Sequence, residues 1–205
     1  MRFFNRDRLN LVIAISAIMI SLASFYATYL QARAANQQVK VMTMPVIQFS
    51  HGNYDEESNQ NKITFNFHNA GSGPAILKSV NFNYKNTDYS STHDFLRACC
   101  REEYKTMLDT FNKRLATHHP PLDDGFEISA EINEVIVPAQ SEYPFYSLSR
   151  GTATSELWKK LDRERWSLSI SACFCSPLGN CYESNSKKIS TEVDHCPSNQ
   201  QLHSR

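Results

Sequence analysis

The chain has 205 residues, 41% of them hydrophobic, and its 21 basic residues balance 21 acidic ones, so its formal net charge is zero. Eight prolines and six glycines are too few for a collagen-like or low-complexity chain, and the hydrophobic content suffices for one ordinary core. Residues 1–40 hold five of the cations and one anion, which leaves 16 cations and 20 anions in residues 41–205. A mildly acidic segment lacks the clustered basic side chains that bind phosphate backbones, so we expect no nucleic-acid partner.

The first predicted element is a transmembrane helix over residues 9–30. No charged residue occurs in these 22 positions, and a helix of that length is about 33 Å long, enough to cross a bilayer core. The serine and threonine hydroxyls of the segment can donate to carbonyls of their own helix, so they are compatible with lipid. Arg2, Arg6 and Arg8 precede the segment, and basic side chains favour the cytoplasmic side. Residues 1–8 are therefore predicted to be cytoplasmic, with residues 31–205 across the membrane.

A cleaved signal peptide is the alternative interpretation of this segment. Ala32-Arg33-Ala34 has the small-x-small form of a cleavage site. The apolar run is longer than a usual signal core, however, and the arginine fits the site badly. We therefore predict an uncleaved signal-anchor, followed by a stalk over residues 31–43 that can continue the helix.

From residue 44 onward, the spacing of apolar residues changes to that of β-strands. In the segment 62–69, Ile63, Phe65 and Phe67 alternate with polar residues, which is typical of a half-buried strand. Similar extended segments are 75–84, 126–137, 143–148, 166–175 and 181–186. Short strands separated by turns predict a mainly-β domain, an antiparallel β-sandwich over residues 44–190, with a C-terminal tail over residues 191–205.

Two segments inside this domain have helical spacing. Residues 91–116 contain no proline or glycine and carry apolar side chains every three or four residues, so they predict one long inserted helix that Ser91 or Thr92 can cap. The face comprises Leu96, Cys100, Tyr104, Met107, Leu108, Phe111 and Leu115. A shorter helix is predicted over residues 152–161, with Leu157, Trp158 and Leu161 on one side.

All six cysteines lie outside the apolar segment, and an even number permits full pairing in an oxidising compartment. A hairpin centred on Leu178 would place Cys175 directly opposite Cys181, at a distance that a disulfide can span. Cys173 would lie on the same strand face, two residues away. The Cys175–Cys181 disulfide is the first predicted bridge.

The partners of the other four cysteines remain open at this point. Cys173 can pair with Cys196, which would tie down the tail, or with a cysteine of the long helix. Cys99 and Cys100 lie about 100° apart around that helix, and adjacent cysteines rarely bond each other, so we expect separate fates for them.

A second interpretation makes Cys173, Cys175, Cys181 and Cys196 a thiolate site for zinc or copper(I), with His195 nearby, or a redox-active thiol pair. The C-x-C spacing lacks the usual chelate geometry, and no C-x-x-C precedes a helix. Structural disulfides are therefore expected, with no cofactor and no metal.

The segment Asn69-Ala-Gly-Ser-Gly-Pro-Ala75 closes one predicted strand and opens the next. It resembles the N-x-G-x-G-x-A turn of many extracytoplasmic immunoglobulin-like domains. Together with the anchor, the Leu157-Trp158 pair and the Cys175–Cys181 spacing, the chain resembles uncharacterised bacterial single-pass membrane proteins with one periplasmic immunoglobulin-like domain. This resemblance implies a bacterial inner-membrane location with the domain in the periplasm, and it brings no activity with it. Its glycines are expected to supply positive φ in a tight turn.

No recognisable catalytic constellation accompanies these features. His118 and His119, followed by Asp123 and Asp124, could form a metal or acid–base cluster, but the intervening Pro120-Pro121 is typical of an exposed loop. No G-x-S-x-G sequence occurs. We therefore predict a non-enzymatic interaction or structural module of the envelope, with a bilayer contact through the helix and a protein partner. The alternative is an envelope thiol-redox or metal-binding protein that uses the C-terminal cysteines.

Overall fold

The computed structural model describes residues 6–116, 125–185 and 188–197. The chain divides into a helical unit, Met1–Met42, and a compact unit, Thr43–Arg205. The helical unit contains helix α1, Arg6–Met42, whose apolar stretch has a mean hydropathy of 2.1 and is exposed along its whole length. A helix of this length and composition suits a membrane anchor, and a signal sequence near an N-terminus has the same features.

Two of the hydroxyls in the apolar part of α1 donate to carbonyls of the same helix. Ser16 Oγ donates to the Val12 carbonyl at 2.8 Å, and Thr28 Oγ1 donates to the Ser24 carbonyl at 2.9 Å. Such bonds satisfy these two donors without water, as a membrane-spanning helix requires. The predicted stalk, residues 31–43, is helical as far as Met42.

The compact unit is built from two antiparallel sheets. Its elements in chain order are β1 Ile47–Gly52, β2 Lys62–Asn69, β3 Ala75–Tyr84, β4 Thr87–Tyr89, α2 Thr92–Cys99, α3 Arg101–Ala116, β5 Glu127–Ser129, β6 Ile136–Val137, β7 Ser141–Ser149, α4 Ser155–Glu164, β8 Leu168–Cys175, β9 Cys181–Asn185 and β10 Lys188–Val193. The first sheet has the strand order β1-β2-β7-β5. The second has the order β10-β9-β8-β3-β4, and β6 also pairs with β3. The prediction of a mainly-β domain is confirmed.

One core lies inside this unit, and the strand alternation explains which side chains enter it. Ile63, Phe65 and Phe67 of β2 are buried, as their spacing predicts, while the residues between them are half-buried. Phe67 stacks on Phe145 of β7, with ring centroids 4.7 Å apart. Alternating side chains of β2 and β3 enter this core, where burial of aromatic area contributes to stability.

The predicted strand over 126–137 is two short strands in different sheets. Strand β5 pairs with β7 of the first sheet, and β6 pairs with β3 of the second. Ile132 and Val137 are buried, whereas Phe126 and Ile128 are about half exposed, so only the second part of the predicted apolar face enters the core. Glu134, at φ +57°, takes a left-handed backbone conformation between the two strands. The predicted domain end at residue 190 likewise falls inside β10.

The predicted long helix 91–116 is divided into α2 and α3. The division falls at Cys100, whose φ of −143° and ψ of 37° lie outside the helical region. Ser91 caps α2 as predicted, since its Oγ accepts from Asp94 N at 3.1 Å. The apolar face is buried through Met107, whereas Leu115 is largely exposed. The second predicted helix begins at Ser155, three residues later than expected.

The Asn69–Ala75 turn requires glycine at two positions because the backbone of the chain before β1 passes close to it. Neither Gly71 nor Gly73 has a positive φ, so the expectation of left-handed glycines here is wrong. A Cβ on Gly71 would lie 2.4 Å from the Met44 carbonyl oxygen, and one on Gly73 would lie 2.0 Å from the Thr43 carbonyl oxygen. The chain that leads into β1 lies directly against this turn, which leaves no room for a side chain.

Candidate functional site

The β8–β9 hairpin has the predicted register. Cys175 pairs with Cys181 and Cys173 with Glu183, so the hairpin is centred on Leu178. Gly179 supplies a φ of +84° in its turn, and Ser176 N donates to the Asn180 carbonyl at 2.8 Å. The sulfurs of Cys175 and Cys181 are 2.06 Å apart, which makes them a disulfide.

A second disulfide, Cys173–Cys196, joins the C-terminal segment to the sheet. The Sγ atoms of Cys173 and Cys196 are 2.07 Å apart. Cys196 follows β10, which is separated from β8 by β9. The chain after β10 must therefore cross back over β9 to bring this sulfur to β8.

The four sulfurs occupy the sheet face opposite the core. Ala172 and Phe174 of β8 belong to the core, so the alternating Cys173 and Cys175 lie on the other face. The three strand cysteines are nevertheless less than 10% exposed, and Cys196, whose sulfur lies against them, is half-buried. Cys173 is joined to Cys196 and so completes a group of four.

Distances between the two disulfides are short. Cys175 Sγ lies 3.8 Å from Cys196 Sγ, although these two atoms are not bonded to each other. The sulfurs of Cys175, Cys181 and Cys196 all lie within 4.8 Å of one another. Such a group can exchange disulfide partners or, when reduced, present several thiolates to one metal ion. We name Cys173, Cys175, Cys181 and Cys196 the sulfur cluster.

Cys99 and Cys100 form a third disulfide, between adjacent residues, with their sulfurs 2.09 Å apart. The expectation that these cysteines have separate fates is therefore wrong. Side chains of neighbouring helical residues diverge by about 100°, so a bond between them requires the backbone to leave the helix, as it does at Cys100. Both residues are buried in the core.

A polar cluster that the sequence analysis did not find surrounds Arg165. Arg165 is 5% exposed, and its Nε donates to Asp162 Oδ1 at 2.9 Å. Asn53 Nδ2 donates to the same carboxylate oxygen at 3.1 Å, and the Arg165 guanidinium contacts His51 Nδ1. Burial, and secondarily the Arg165 charge, lowers the pKa of His51. His51 and Arg165 are 114 positions apart, so no local pattern could indicate their contact.

Trp166 covers this cluster and faces solvent. Its side chain is 72% exposed, yet the Arg165 guanidinium carbon lies 4.5 Å from its ring centroid. The His51 ring meets it edge-on, with centroids 4.9 Å apart. We name Trp166, Arg165 and His51 the Trp166 surface, an exposed aromatic ring on a buried polar base.

A second buried polar group joins β5, β7 and α3. Tyr146 is 1% exposed, and burial together with the nearby Glu127 carboxyl holds its pKa above the ordinary value. Burial raises the pKa of Glu127 as well, and it raises the pKa of Tyr104 to about 12. His93 Nδ1 lies 2.6 Å from the Tyr104 hydroxyl. Tyrosine is neutral at ordinary pH without these shifts, and the raised pKa values of Tyr104 and Tyr146 reinforce that state.

The sequence predicts one further possible cluster, of histidines and aspartates. His118, His119, Asp123 and Asp124 lie outside the described residues. A surface groove of about 670 Å³ runs beside the start of α4. The described residues that line it include Phe126, Arg150 and Ser155, and none of those described is a histidine, cysteine or carboxylate.

Comparison with known proteins identifies no relative. No protein-family profile matches the chain, and no curated protein or solved structure matches it. The structure alone therefore defines its class: in sequence, a helix that is long and apolar enough to span a membrane is followed by a mainly-β domain of two antiparallel sheets.

Proposed function

We propose that this chain is a non-enzymatic, membrane-anchored interaction module of a bacterial envelope. In this proposal α1 stays uncleaved in the inner membrane with its N-terminus in the cytoplasm, and an immunoglobulin-like sandwich lies in the periplasm. The apolar helix supports the anchor, and the two-sheet architecture supports the sandwich. Three disulfides suit an oxidising compartment.

The observation that carries an interaction role is the Trp166 surface. Tryptophan and arginine are enriched among the residues that dominate binding energy at protein interfaces. The Trp166 ring is held against Arg165 and His51 on its own chain, so binding would cost little additional side-chain ordering. An exposed, pre-positioned tryptophan is a natural anchor for a protein partner.

Site-specific photo-crosslinking in cells tests this role. A photoreactive amino acid at position 166 is expected to capture one specific envelope protein, and co-purification of that protein should be lost in the Trp166→Ala variant. Leu178, which is 56% exposed at the tip of the β8–β9 hairpin, is the matched control position. Equal capture from both positions, or monomer alone from position 166, would reject the Trp166 surface as the binding site.

The anchor is tested separately by intact mass. Protein extracted from membranes should retain residues 1–34, and a reporter fused to the N-terminus should be protected from external protease in spheroplasts. A mass that begins near residue 35, together with release into the soluble fraction, would instead indicate a cleaved signal peptide.

The sulfur cluster supports a second candidate, an envelope thiol-redox or metal-binding protein. Its specific support is the 3.8 Å separation of Cys175 Sγ and Cys196 Sγ, which belong to two different disulfides. Thiols that change state with the surrounding redox potential, or metal retained on purification, would favour this candidate over a purely structural role for the bridges.

A further inference from the structure

We propose that the sulfur cluster, when its two disulfides are reduced, binds one Zn²⁺ ion through four thiolates. The inference rests on the second candidate function, the metal-binding one, and is independent of partner binding at the Trp166 surface. It assigns all four ligands from this chain: Cys173, Cys175, Cys181 and Cys196.

The distances between the disulfides suit tetrahedral coordination. A zinc–sulfur bond of about 2.3 Å places neighbouring sulfurs of a tetrahedron about 3.8 Å apart. Cys175 Sγ and Cys196 Sγ already have this separation, at 3.8 Å. The Cys181 sulfur lies within 4.8 Å of both. Three of the four sulfurs are thus already grouped, and Cys173 Sγ, bonded to Cys196 Sγ at 2.07 Å, would have to rotate toward them after reduction.

The fold supplies the chelate geometry that C-x-C spacing lacks. Cys173 and Cys175 extend from the same face of β8, Cys181 approaches from the paired β9, and Cys196 crosses over β9 from the far edge. Three elements thus meet at one point. Backbone pairing of Ser171–Cys175 with Cys181–Asn185 keeps three of the four ligands in register without a disulfide.

The surroundings also suit a closed structural site. The three strand cysteines are less than 10% exposed, and the fourth is half-buried, so little space remains for a bound water. Four protein thiolates and no open position characterise structural rather than catalytic zinc. The ion would replace the Cys173–Cys196 bridge as the link between the C-terminal segment and the sheet.

The chemistry balances with a dithiol reductant. Each disulfide accepts two electrons and two protons from one dithiol, which becomes a disulfide, and the two reductions yield four thiols. Zn²⁺ then displaces four thiol protons and forms four Zn–S bonds without changing its oxidation state. Because every cysteine is paired in the oxidised protein, binding is confined to the reduced state and is therefore gated by redox conditions.

Cobalt substitution tests the site in the full chain in detergent micelles. After anaerobic reduction with a phosphine, Co²⁺ is expected to bind with one ion per chain at the cluster and to show the intense visible bands of tetrahedral thiolate coordination. Zn²⁺ should displace it stoichiometrically. The air-oxidised protein should show no such bands.

Variants separate the cluster from other cysteines. Cys181→Ser is expected to weaken Co²⁺ binding on the order of a hundredfold or more, since even changes outside the ligand set cost 10–100-fold. The Cys99→Ser/Cys100→Ser double variant and His195→Ala should retain the wild-type spectrum. Circular dichroism of each reduced variant reports whether its sheets persist.

Several results would overturn the proposal. They are an absence of Co²⁺ binding by the reduced wild type, an octahedral spectrum, or equal binding by the Cys181→Ser variant. If Cys181→Ser fails to fold, the wild-type spectrum and stoichiometry still decide, with the Cys99/Cys100 double variant as the control. Crosslinking at Trp166 uses the oxidised protein, so failure of the metal site and failure of the interaction role are observed separately.

Discussion

Replacing Asn69 with alanine is expected to destabilise the domain by about 4 kcal/mol. Asn69 is the last residue of β2 and is completely buried. Its side chain contacts five backbone groups at 2.9–3.1 Å: the carbonyls of Gly73, Val137 and Pro138, and the N–H groups of Val46 and Gly71. These groups belong to the turn after β2, the chain leading into β1 and the end of β6. The amide therefore adds side-chain hydrogen bonds between three chain segments, at the point where β1 pairs with β2 and β3 pairs with β6.

The expected loss of stability in Asn69→Ala follows from the number of hydrogen bonds that the Asn69 side chain makes. Nδ2 has two hydrogens for its three carbonyl neighbours, and Oδ1 accepts two N–H bonds, so the side chain makes about four hydrogen bonds. Each contributes about 1 kcal/mol net, and groups left buried without a partner cost more. A loss of about 4 kcal/mol is a large part of a total stability of about 5–15 kcal/mol.

Two further variants test the hydrogen-bonding explanation. Asn69→Asp keeps the accepting oxygen but turns a second oxygen toward three carbonyls, so it should destabilise at least as much as alanine. Because a protonated carboxyl can donate, this variant is expected to be more stable in mildly acidic than in mildly alkaline buffer. Asn83→Ala is the control, since Asn83 Nδ2 donates to Asp88 at the surface and its loss should cost below about 1 kcal/mol.

Urea unfolding of the full chain in detergent, followed by tryptophan fluorescence, measures these differences. The reasoning fails if Asn69→Ala lies within about 1 kcal/mol of Asn83→Ala, or if Asn69→Asp is as stable as the wild type. Either outcome would mean that water or a rearranged turn satisfies the backbone groups without the amide.

Three other changes have defined outcomes. The Glu164 carboxylate accepts a hydrogen bond from Tyr84 Oη at 2.5 Å and pairs with two lysines, which lowers the pKa of Glu164 to about 2. This folded-state pKa lies below the unfolded value, so the stability of the domain is expected to fall as the pH drops from about 4.5 toward 2. The expected loss is about 1–2 kcal/mol after solvent screening. Glu164→Gln should flatten that part of the stability-against-pH curve in urea titrations, and an unchanged curve would contradict the assignment. Gly73→Ala should destabilise by several kcal/mol because its Cβ would overlap the Thr43 carbonyl oxygen at 2.0 Å, and a neutral effect in the same assay would show that the chain before β1 moves freely. Asn86→Gly, at φ +65° in the two-residue β3–β4 turn, should raise the midpoint of thermal unfolding through a gain of up to about 1 kcal/mol, whereas a lower midpoint would contradict it.

The local pattern of apolar and polar residues predicted those helices and strands whose own residues show a regular hydrophobic spacing. The run without charge became a continuous helix, and the alternation in 62–69 became β2 with its apolar residues buried. The hairpin centred on Leu178 has the predicted register because a five-residue connection leaves few ways to pair its flanking strands. In each case the relevant residues are close in sequence. The regular backbone geometry of a helix or strand then determines which side chains lie on the same face.

The predictions that failed all depended on contacts that spacing does not encode. The helix 91–116 has an uninterrupted apolar face, but a disulfide between Cys99 and Cys100 ends α2 there. The segment 126–137 has one apolar alternation in sequence, but its chain passes from one sheet to the other and leaves Phe126 and Ile128 exposed. Glycines were expected for their backbone freedom, whereas Gly73 is needed because another segment passes within van der Waals distance.

The sequence by itself determined the apolar helix, the mainly-β character of the rest and the pairing opposite Leu178, because each follows from hydrophobic periodicity or short-range turn geometry. Tertiary structure alone decided which distant residues meet. The crossing of the chain after β10 brings Cys196 to β8, and the junction of β1 with the residues after α4 brings His51 to Arg165. Such contacts between distant residues depend on how the sheets pack and on the order of their strands. Many strand orders are compatible with the same alternation of apolar and polar residues. For this reason, both the sulfur cluster and the Trp166 surface became visible only in the folded chain.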